Sequence, residues 1–212
     1  VNTDELSSTI LQLLNNFLSL ENFWIERSRG LSGSIWAGYY NQLRIVNGLF
    51  QENWSTSSKE YYEVNMAGAI VGRSQNIISI TSTIFSRAKS DTTGGAITGI
   101  EKNSISIIDC VFDKNESPNR ESTGGAIKLF FENEITLHNT FFLSNYGSLG
   151  GVLYGLANNT IKVTFCAFFN NRAEEGSVFG FSFNNSISIY DSDFEENKGY
   201  IFGGFLFGGV IL

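Results

Sequence analysis

Residues 94–115, GGAITGIEKNSISIIDCVFDKN, contain the pattern that decides the fold. Two further copies follow as residues 124–145, GGAIKLFFENEITLHNTFFLSN, and residues 150–171, GGVLYGLANNTIKVTFCAFFNN. In each copy a Gly-Gly pair opens the segment and a Phe-x-x-Asn tetrapeptide closes it. One pattern that returns at a spacing of roughly 25 to 35 residues indicates a repeat protein.

The repeat extends along the whole chain when the fourth residue of each copy, termed a rung, is taken as position 0. These reference residues are Ile10, Ile35, Ile70, Ile97, Ile127, Leu153, Phe179 and Leu206. Positions −3 and −2 hold small residues in every rung, so the rungs start near residues 7, 32, 67, 94, 124, 150, 176 and 203. We therefore expect one domain over residues 1–212, and we expect this chain to be a fragment of a longer one.

Each complete rung contains a clear strand between the small pair and the Phe. Positions +8 and +10 are always aliphatic, as in Ile105 and Ile107, and the residue between them is always polar, as in Ser106. Alternation with period two predicts a strand with one buried face. Because no rung has room for a crossover helix, we predict an all-β fold, a right-handed single-stranded parallel β-helix (solenoid) of about seven to eight rungs.

Two positions predict ladders along the axis, because stacked strands lie about 4.8 Å apart. Position +6 is Asn in every complete rung: Asn16, Asn41, Asn76, Asn103, Asn133, Asn159 and Asn185. We expect this Asn to bend the chain through the left-handed conformation and its amide to bond to the Asn above and below. Position +15 is Phe in all complete rungs after the first: Phe50, Phe85, Phe112, Phe142, Phe168 and Phe194. We expect these rings to stack in the core.

The pairing of Gly-Gly-Ala-Ile with Phe-x-x-Asn resembles the repeat of polymorphic outer membrane proteins, which are surface-exposed autotransported adhesins of chlamydiae. The matching segments are Gly94 to Ile97 with Phe112 to Asn115, and Gly124 to Ile127 with Phe142 to Asn145. Looser copies are Gly150 to Leu153 with Phe168 to Asn171, and Gly176 to Phe179 with Phe194 to Asn197. The resemblance covers about residues 67 to 206. It implies an adhesive or structural β-helix outside the cell or on its surface, and it transfers no enzyme residues.

The charge of the chain limits its partners. A net charge of −7 and an isoelectric point near 4.8 disfavour nucleic acid and give no polybasic attraction to anionic membranes. The longest apolar run, Tyr200 to Leu212, is thirteen residues long, short of the roughly 20 that span a bilayer. A membrane segment that begins there and continues past Leu212 stays open, so we expect membrane contact only through regions outside this chain.

The cysteines and the single histidine give no catalytic or metal pattern. Cys110 and Cys166 share position +13 but lie two rungs apart, about 9.6 Å by stacking distance, which exceeds the reach of a disulfide. We predict two free thiols that fill their ladder. His138 sits at position +11 without an acid–base partner in the pattern, so we predict an ordinary strand residue, and we expect no metal and no cofactor.

Carboxylates decide whether the chain is an enzyme, because lyases and hydrolases on this fold use acidic clusters. Asp109 and Asp191 share position +12 but lie three rungs apart, about 14 Å by stacking distance. A glycosidase pair needs roughly 5–10 Å. We therefore interpret Asp109 and Asp191 as corner residues, interpret Asp113, Glu195 and Glu196 as scattered, and expect no catalytic residues.

Four glycosylation sequons begin at Asn53, Asn115, Asn158 and Asn184. The first two fall on the +18 position of the repeat, which is mostly Asn, and the last two fall on position +5, beside the inward Asn. We expect Asn158 and Asn184 to point outward, and whether they carry glycans stays open.

The irregular parts of the repeat are the best functional candidates. Most rungs need three to five residues after position +18 to reach the next small pair, but residues 54–66 take thirteen and residues 116–123 take eight. Trp54, Tyr61 and Tyr62 offer a rigid aromatic surface of the kind that binds sugars or proteins. The alternative is that these insertions pack back onto the stack.

The leading hypothesis is a non-catalytic, secreted or surface β-helical protein that acts as an adhesin or as a structural spacer. Its partner is then a protein or glycan on a cell surface, or copies of itself. The first alternative is a carbohydrate-active enzyme, a polysaccharide lyase or glycoside hydrolase on the same fold. The second is a filament or assembly scaffold. Three acidic residues clustered within two adjacent rungs would favour the enzyme, and the register of the repeat shows no such cluster.

Overall fold

A computed structural model describes residues 11–13, 15–30, 33–56, 67–119, 123–202, 206–207 and 210–211. Every regular element in these residues is a β-strand. The described segments contain no helix that is long and apolar enough to cross a membrane. The all-β prediction is therefore confirmed.

Each turn of the chain contributes up to four short strands. The strands of the first four turns are β1 Leu11–Leu13, β2 Phe17–Glu21, β3 Trp24–Glu26, β4 Arg29–Gly30, β5 Ile35–Tyr39, β6 Gln42–Val46, β7 Leu49–Gln51, β8 Trp54–Ser55, β9 Ile70–Ser74, β10 Ile77–Thr81, β11 Ile84–Ser86, β12 Lys89–Ser90, β13 Ile97–Glu101, β14 Ser104–Ile108, β15 Val111–Asp113 and β16 Glu116–Ser117. The strands that follow are β17 Ile127–Phe131, β18 Glu134–His138, β19 Phe141–Leu143, β20 Tyr146–Leu149, β21 Leu153–Ala157, β22 Thr160–Thr164, β23 Ala167–Phe169, β24 Arg172–Glu175, β25 Phe179–Phe183, β26 Ser186–Tyr190, β27 Asp193–Glu195, β28 Lys198–Phe202, β29 Leu206–Phe207 and β30 Val210–Ile211.

Equivalent strands of successive turns pair in parallel and form four sheets, named A to D in the order in which the chain enters them. Sheet A runs from β1 through every fourth strand to β29, and sheet B from β2 to β30 in the same way. Sheet C runs from β3 to β27, and sheet D from β4 to β28. This is the predicted parallel β-solenoid, in which each turn stacks directly on the last.

The register of the strands agrees with the positions of the repeat. In sheet B, Ile78 pairs with Ile105, and Ile105 pairs with Ile135, so each aliphatic position forms one column. Sheets A and B contain eight strands each and sheets C and D seven, but the complete turns number about six, slightly fewer than the seven to eight rungs that the sequence predicts. The difference arises at the ends, because the first and last turns are described only in part.

The +6 asparagines form a buried hydrogen-bonded ladder. The Asn133 Oδ1 accepts hydrogen bonds from the backbone N of Asn103 at 3.0 Å and from its Nδ2 at 2.9 Å. The Asn133 Nδ2 in turn donates to the Oδ1 of Asn159 at 3.1 Å. Each amide therefore pairs with polar groups of the neighbouring turn. Without these hydrogen bonds, the buried polar groups would lie unpaired in an apolar core.

One expectation about this ladder is wrong. The residue in the left-handed conformation is not the ladder Asn at position +6 but the residue before it, as at Lys102 with φ 51° and Glu132 with φ 53°. The preceding residue stands at the exposed apex of the bend, whereas the Asn has already turned inward and is buried. The residues at positions +12 and +17, such as Asp109 and Lys114, also adopt the left-handed conformation.

The Phe column forms the apolar half of the core. From Phe50 to Phe85, and from Phe85 to Phe112, the ring centroids lie 5.0 and 4.7 Å apart with nearly parallel planes. The stack continues through Phe142, Phe168 and Phe194 at 4.9, 4.9 and 4.7 Å. Offset stacks of this kind contribute roughly 0.5–1.5 kcal/mol per pair beyond burial of the rings.

The Gly-Gly pair is required because the backbones of adjacent turns approach closely there. A Cβ on Gly125 would lie 2.1 Å from the carbonyl oxygen of Gly151. Gly124 also has φ +72°, a conformation that favours glycine. The small pair therefore allows the backbones of adjacent turns to pack directly against each other.

The first residues of both predicted insertions belong to the stack. Trp54–Ser55 and Glu116–Ser117 form β8 and β16 of sheet D, where the side chains of Ser55 and Ser117 are buried. Residues 57–66 and 120–122 lie outside the described residues.

Candidate functional site

The outer side of sheet C carries exposed apolar side chains at the same position of successive turns. Within each of its three-residue strands the middle side chain points into the core and the outer two point out, as at exposed Phe141, buried Phe142 and half-buried Leu143. The outward residues form two columns along the axis, and this surface is termed the C face. The first column is Trp24, Leu49, Ile84, Val111, Phe141, Ala167 and Asp193; the second is Glu26, Gln51, Ser86, Asp113, Leu143, Phe169 and Glu195.

The first column is apolar in six successive turns. Trp24, Ile84 and Phe141 are 57%, 43% and 47% exposed, so large apolar side chains stand in water. The central outward column of sheet B is polar by contrast: Ser19, Arg44, Ser79, Ser106, Thr136, Lys162 and Ser188. Solubility alone would not place one apolar residue at the same position of six turns, and an extended apolar patch marks an interaction surface.

A groove interrupts the C face near its acidic end. Ala167 is short, so a hollow of about 520 Å³ opens over it, bordered by Phe141, Leu143 and Phe169. Asp193 and Glu195 border the hollow from the next turn. The groove thus combines an apolar floor, aromatic walls and two carboxylates.

Among the described residues, the carboxylates beside the groove lack the ion pairs that Glu52 and Asp113 form in earlier turns. Glu52 accepts hydrogen bonds from the guanidinium groups of Arg27 and Arg87, each at 3.1 Å, and these hold the pKa of Glu52 below its ordinary value. Asp113 lies 3.7 Å from the Lys114 ammonium. No basic side chain of the described segments pairs in this way with the carboxylates of the seventh turn, which are those of Asp191, Asp193, Glu195 and Glu196.

This arrangement corrects the interpretation of Glu195 as scattered. Asp193 and Glu195 are the two outward residues of one strand, β27, and therefore point to the same side. Their Cα atoms are two residues apart, about 7 Å along an extended strand. The ladder comparison missed the pair because it compared equivalent positions between turns and not neighbours within a turn.

Trp54, the described member of the predicted aromatic site, packs on the stack. Its indole lies between Arg29 and Lys89, with the Arg29 Cζ and the Lys89 Nζ at 5.5 and 5.4 Å from the ring centroid. The indole Nε1 is buried and has no hydrogen-bond partner among the described residues. Tyr61 and Tyr62 lie outside the described residues, so binding by these three residues stays a prediction.

Lys128 is a perturbed group that the sequence analysis did not single out. It is only 9% exposed on the outer side of sheet A, in register with buried Thr98 and Tyr154. Its Nζ lies 4.3 Å from the centroid of the Phe130 ring. Burial lowers the pKa of this ammonium from its ordinary 10.5 to about 8. Perturbed lysines cluster at functional sites but also occur in structural settings.

The remaining candidates behave as ordinary parts of the repeat. Cys110 and Cys166 are free and buried, as predicted, and burial raises the pKa of Cys110 to about 11. His138 lies in β18, where its Nδ1 is 2.9 Å from the Thr164 Oγ1. Asp109 and Asp191 occupy exposed corners with φ 55° and 46°, as predicted.

The four sequons divide into two classes. Asn53 and Asn115 are fully buried, and the Asn115 Nδ2 donates to the Asn145 Oδ1 at 3.0 Å. Asn158 and Asn184 are exposed at corners of the stack, as predicted.

Within the described residues, no group of three or more His, Cys, Asp or Glu side chains converges closely enough to hold a metal ion. Comparison of the chain with models of protein families, with curated proteins and with solved structures finds no match in any of the three.

Proposed function

We propose that the chain is a non-catalytic β-helical binding protein, an adhesin in role, and that it binds its partner through the C face. The observation that supports this most directly is the unbroken apolar column of six turns, with exposed Trp24, Ile84 and Phe141. The resemblance of the Gly-Gly-Ala-Ile and Phe-x-x-Asn motifs to polymorphic outer membrane proteins supports the same role and a location on a cell surface or outside the cell.

The size of the C face indicates the shape of the partner. Seven strands at about 4.8 Å span about 29 Å along the axis, and three residues at about 3.3 Å span about 10 Å across it. The resulting area of about 300 Å² is typical of a functional patch but is well below the roughly 800 Å² per partner of a stable complex between two globular proteins. A narrow, extended ligand that lies along the axis fits this face better than a flat dimer partner.

The carbohydrate-active enzyme is the second candidate, and one observation favours it. Asp193 and Glu195 border a groove from the same side of one strand, with Cα atoms about 7 Å apart, and a pair of carboxylates beside a groove is the arrangement that glycosidases use. A glycosidase would need one of the two carboxyl groups to be shielded from water so that it stays protonated, and both side chains are exposed. Hydrolysis or cleavage of any member of a panel of acidic and neutral glycans would establish the enzyme instead.

Binding to whole cells and to a glycan array tests the proposal. In one variant, Phe141→Ser and Phe169→Ser remove exposed rings of the C face. In a matched control, Phe131→Ser and Phe183→Ser remove exposed rings from sheet A. We expect the first variant to lose at least tenfold in affinity and the control to bind as the original chain does. Equal binding by all three proteins, or binding to none of the cells and glycans, would refute the proposal.

The predicted aromatic site is tested separately. Replacing Trp54, Tyr61 and Tyr62 by Ala leaves the C face intact, and unchanged binding removes these residues from the site.

A filament or assembly scaffold would instead associate with itself. Sedimentation over a wide range of concentration detects such assemblies.

A further inference from the structure

We propose that the groove on the C face binds a lysine or arginine side chain, so that the partner is a protein that presents a basic, partly apolar segment. This inference rests on the proposed function, since it names the partner of the same face. Three observations support it. They are the shape of the groove, the lack of ion pairs to its carboxylates among the described residues, and the ion pairs that basic residues elsewhere in the chain already form.

The shape of the groove fits a long side chain with a polar end. The short Ala167 forms the floor, and Phe141 and Phe169 stand beside it at 47% and 38% exposure. Lysine and arginine bury their methylene stems along apolar surface and keep the charged end at a polar edge. The aromatic walls add attraction for a cation that lies over a ring face.

The polar edge of the groove has the charge that such a side chain needs. Asp193 stands next to Ala167 in the first column, and Glu195 stands next to Phe169 in the second. A guanidinium or ammonium group between them can donate to both carboxylates, and charge-assisted hydrogen bonds are the strong class. Earlier turns place Arg27, Arg87 and Lys114 against their own carboxylates, whereas the carboxylates of the seventh turn have no such ion pair within the described residues.

A second copy of the chain is a poor donor of that cation. Six of its fourteen Lys and Arg side chains already form ion pairs with carboxylates of the same chain, which leaves fewer for a partner: Arg27, Arg44, Arg87, Lys89, Lys102 and Lys114. The net charge of −7 also makes two copies repel each other. The area of the C face is, in addition, too small for a stable dimer. A basic, extended segment of a different protein satisfies all three conditions.

The probe is a fluorescent peptide of alternating Leu and Lys, compared with peptides of alternating Leu and Glu and of alternating Leu and Gln. Fluorescence anisotropy with the full chain measures the affinity of each peptide. The groove variant is Asp193→Asn with Glu195→Gln. The matched control is Asp113→Asn with Glu26→Gln, which removes the same charge from the second column of the same face, where the carboxylates already lie beside Lys114 and Arg27.

We expect the Leu-Lys peptide to bind and the other two to bind at least tenfold more weakly. The groove variant should lose at least tenfold in affinity for the Leu-Lys peptide, and the control variant less than twofold. Raising salt from about 0.05 M to about 0.3 M should weaken the binding several-fold, because screening shortens the range of exposed charges. Circular dichroism establishes that both variants keep the β-solenoid.

Four outcomes overturn the inference. The first is that the Leu-Lys peptide does not bind, and the second is that the groove and control variants lose equal affinity for it. The third is that the Leu-Gln peptide binds as tightly as the Leu-Lys peptide. The fourth is that the chain binds a neutral glycan and that the groove variant binds this glycan equally well. The Phe141→Ser and Phe169→Ser variant separates the two levels of the argument. If cell binding depends on these rings but not on Asp193 and Glu195, the proposed function stands and only the basic partner is wrong.

Discussion

Replacing Lys128 by Met should stabilise the protein at neutral pH, which is unusual for a buried side chain. Lys128 is 9% exposed, and its ammonium contacts the Phe130 ring without an ion pair to any described residue. Met retains most of the length of the stem and removes the charge. The substitution therefore tests whether burial of an unpaired ammonium in sheet A destabilises the fold.

The magnitude follows from the pKa of Lys128. Burial lowers that pKa from 10.5 to about 8, a difference of about 2.5 at about 1.36 kcal/mol each, which corresponds to about 3 kcal/mol of destabilisation by the charged form. Below pH 8 both the folded and the unfolded chains carry the proton, so this penalty is fully present. Between pH 8 and pH 10.5 the unfolded chain holds more protons than the folded one, so the stability of the original chain rises with pH.

Urea unfolding followed by tryptophan fluorescence measures the effect. We expect Lys128→Met to raise the free energy of unfolding by about 2–3 kcal/mol at pH 7, and we expect this gain to shrink steadily above pH 8. Cys110 titrates in the same range but is present in both proteins, so its contribution cancels. Lys162→Met, on the exposed column of sheet B, is the control and should change stability by no more than about 0.5 kcal/mol. A loss of stability at pH 7, or a gain that does not depend on pH, would refute the reasoning.

Three further predictions concern the stack. Asn133→Ala removes the acceptor of two Asn103 hydrogen bonds at 3.0 and 2.9 Å, and should lower the urea-derived free energy of unfolding by about 3–5 kcal/mol; a loss below about 1 kcal/mol would contradict the ladder. Gly125→Ala places a methyl group 2.1 Å from the Gly151 carbonyl and should destabilise by at least about 3 kcal/mol or prevent folding, whereas full stability by the same assay would show that the turns can separate. Cys110, buried and with its pKa raised to about 11, should resist alkylation at pH 8 in the folded protein and react in urea, as mass spectrometry would show; rapid labelling of the folded chain would contradict its burial.

The sequence predicted the interior of the solenoid better than its surface. Interior residues such as Asn103 and Phe112 must match their neighbours one turn away, so the same residue type returns at the same position and can be recognised. Position +6 was assigned the wrong backbone conformation because Asn and Asp favour the left-handed region, yet the bend uses the preceding residue, which is Lys102 or Glu132 as readily as Asn158.

Two surface features, Lys128 and the C face, were not predicted from the sequence, each for a different physical reason. Lys128 follows the inward Ile127, so alternation alone would place it in water, but the Gly-Gly segments of adjacent turns cover the start of sheet A and residues 127–129 are all buried. The C face was visible in principle, since Ile84, Val111 and Phe141 recur one residue before the Phe column. Its sequence signature is an outward position that lacks, turn after turn, the polar residues that water favours.

The groove lies where two surface patterns of the C face meet. From Trp24 to Ala167 the first column is apolar, and at Asp193 it becomes acidic. Because parallel turns stack in register, a change of residue type between two turns becomes a boundary only about 4.8 Å wide on the surface. A ligand with an apolar stem and a cationic end matches such a boundary in one orientation only. The C face therefore has a direction along the axis, so a ligand bound there is also fixed in its position along the solenoid.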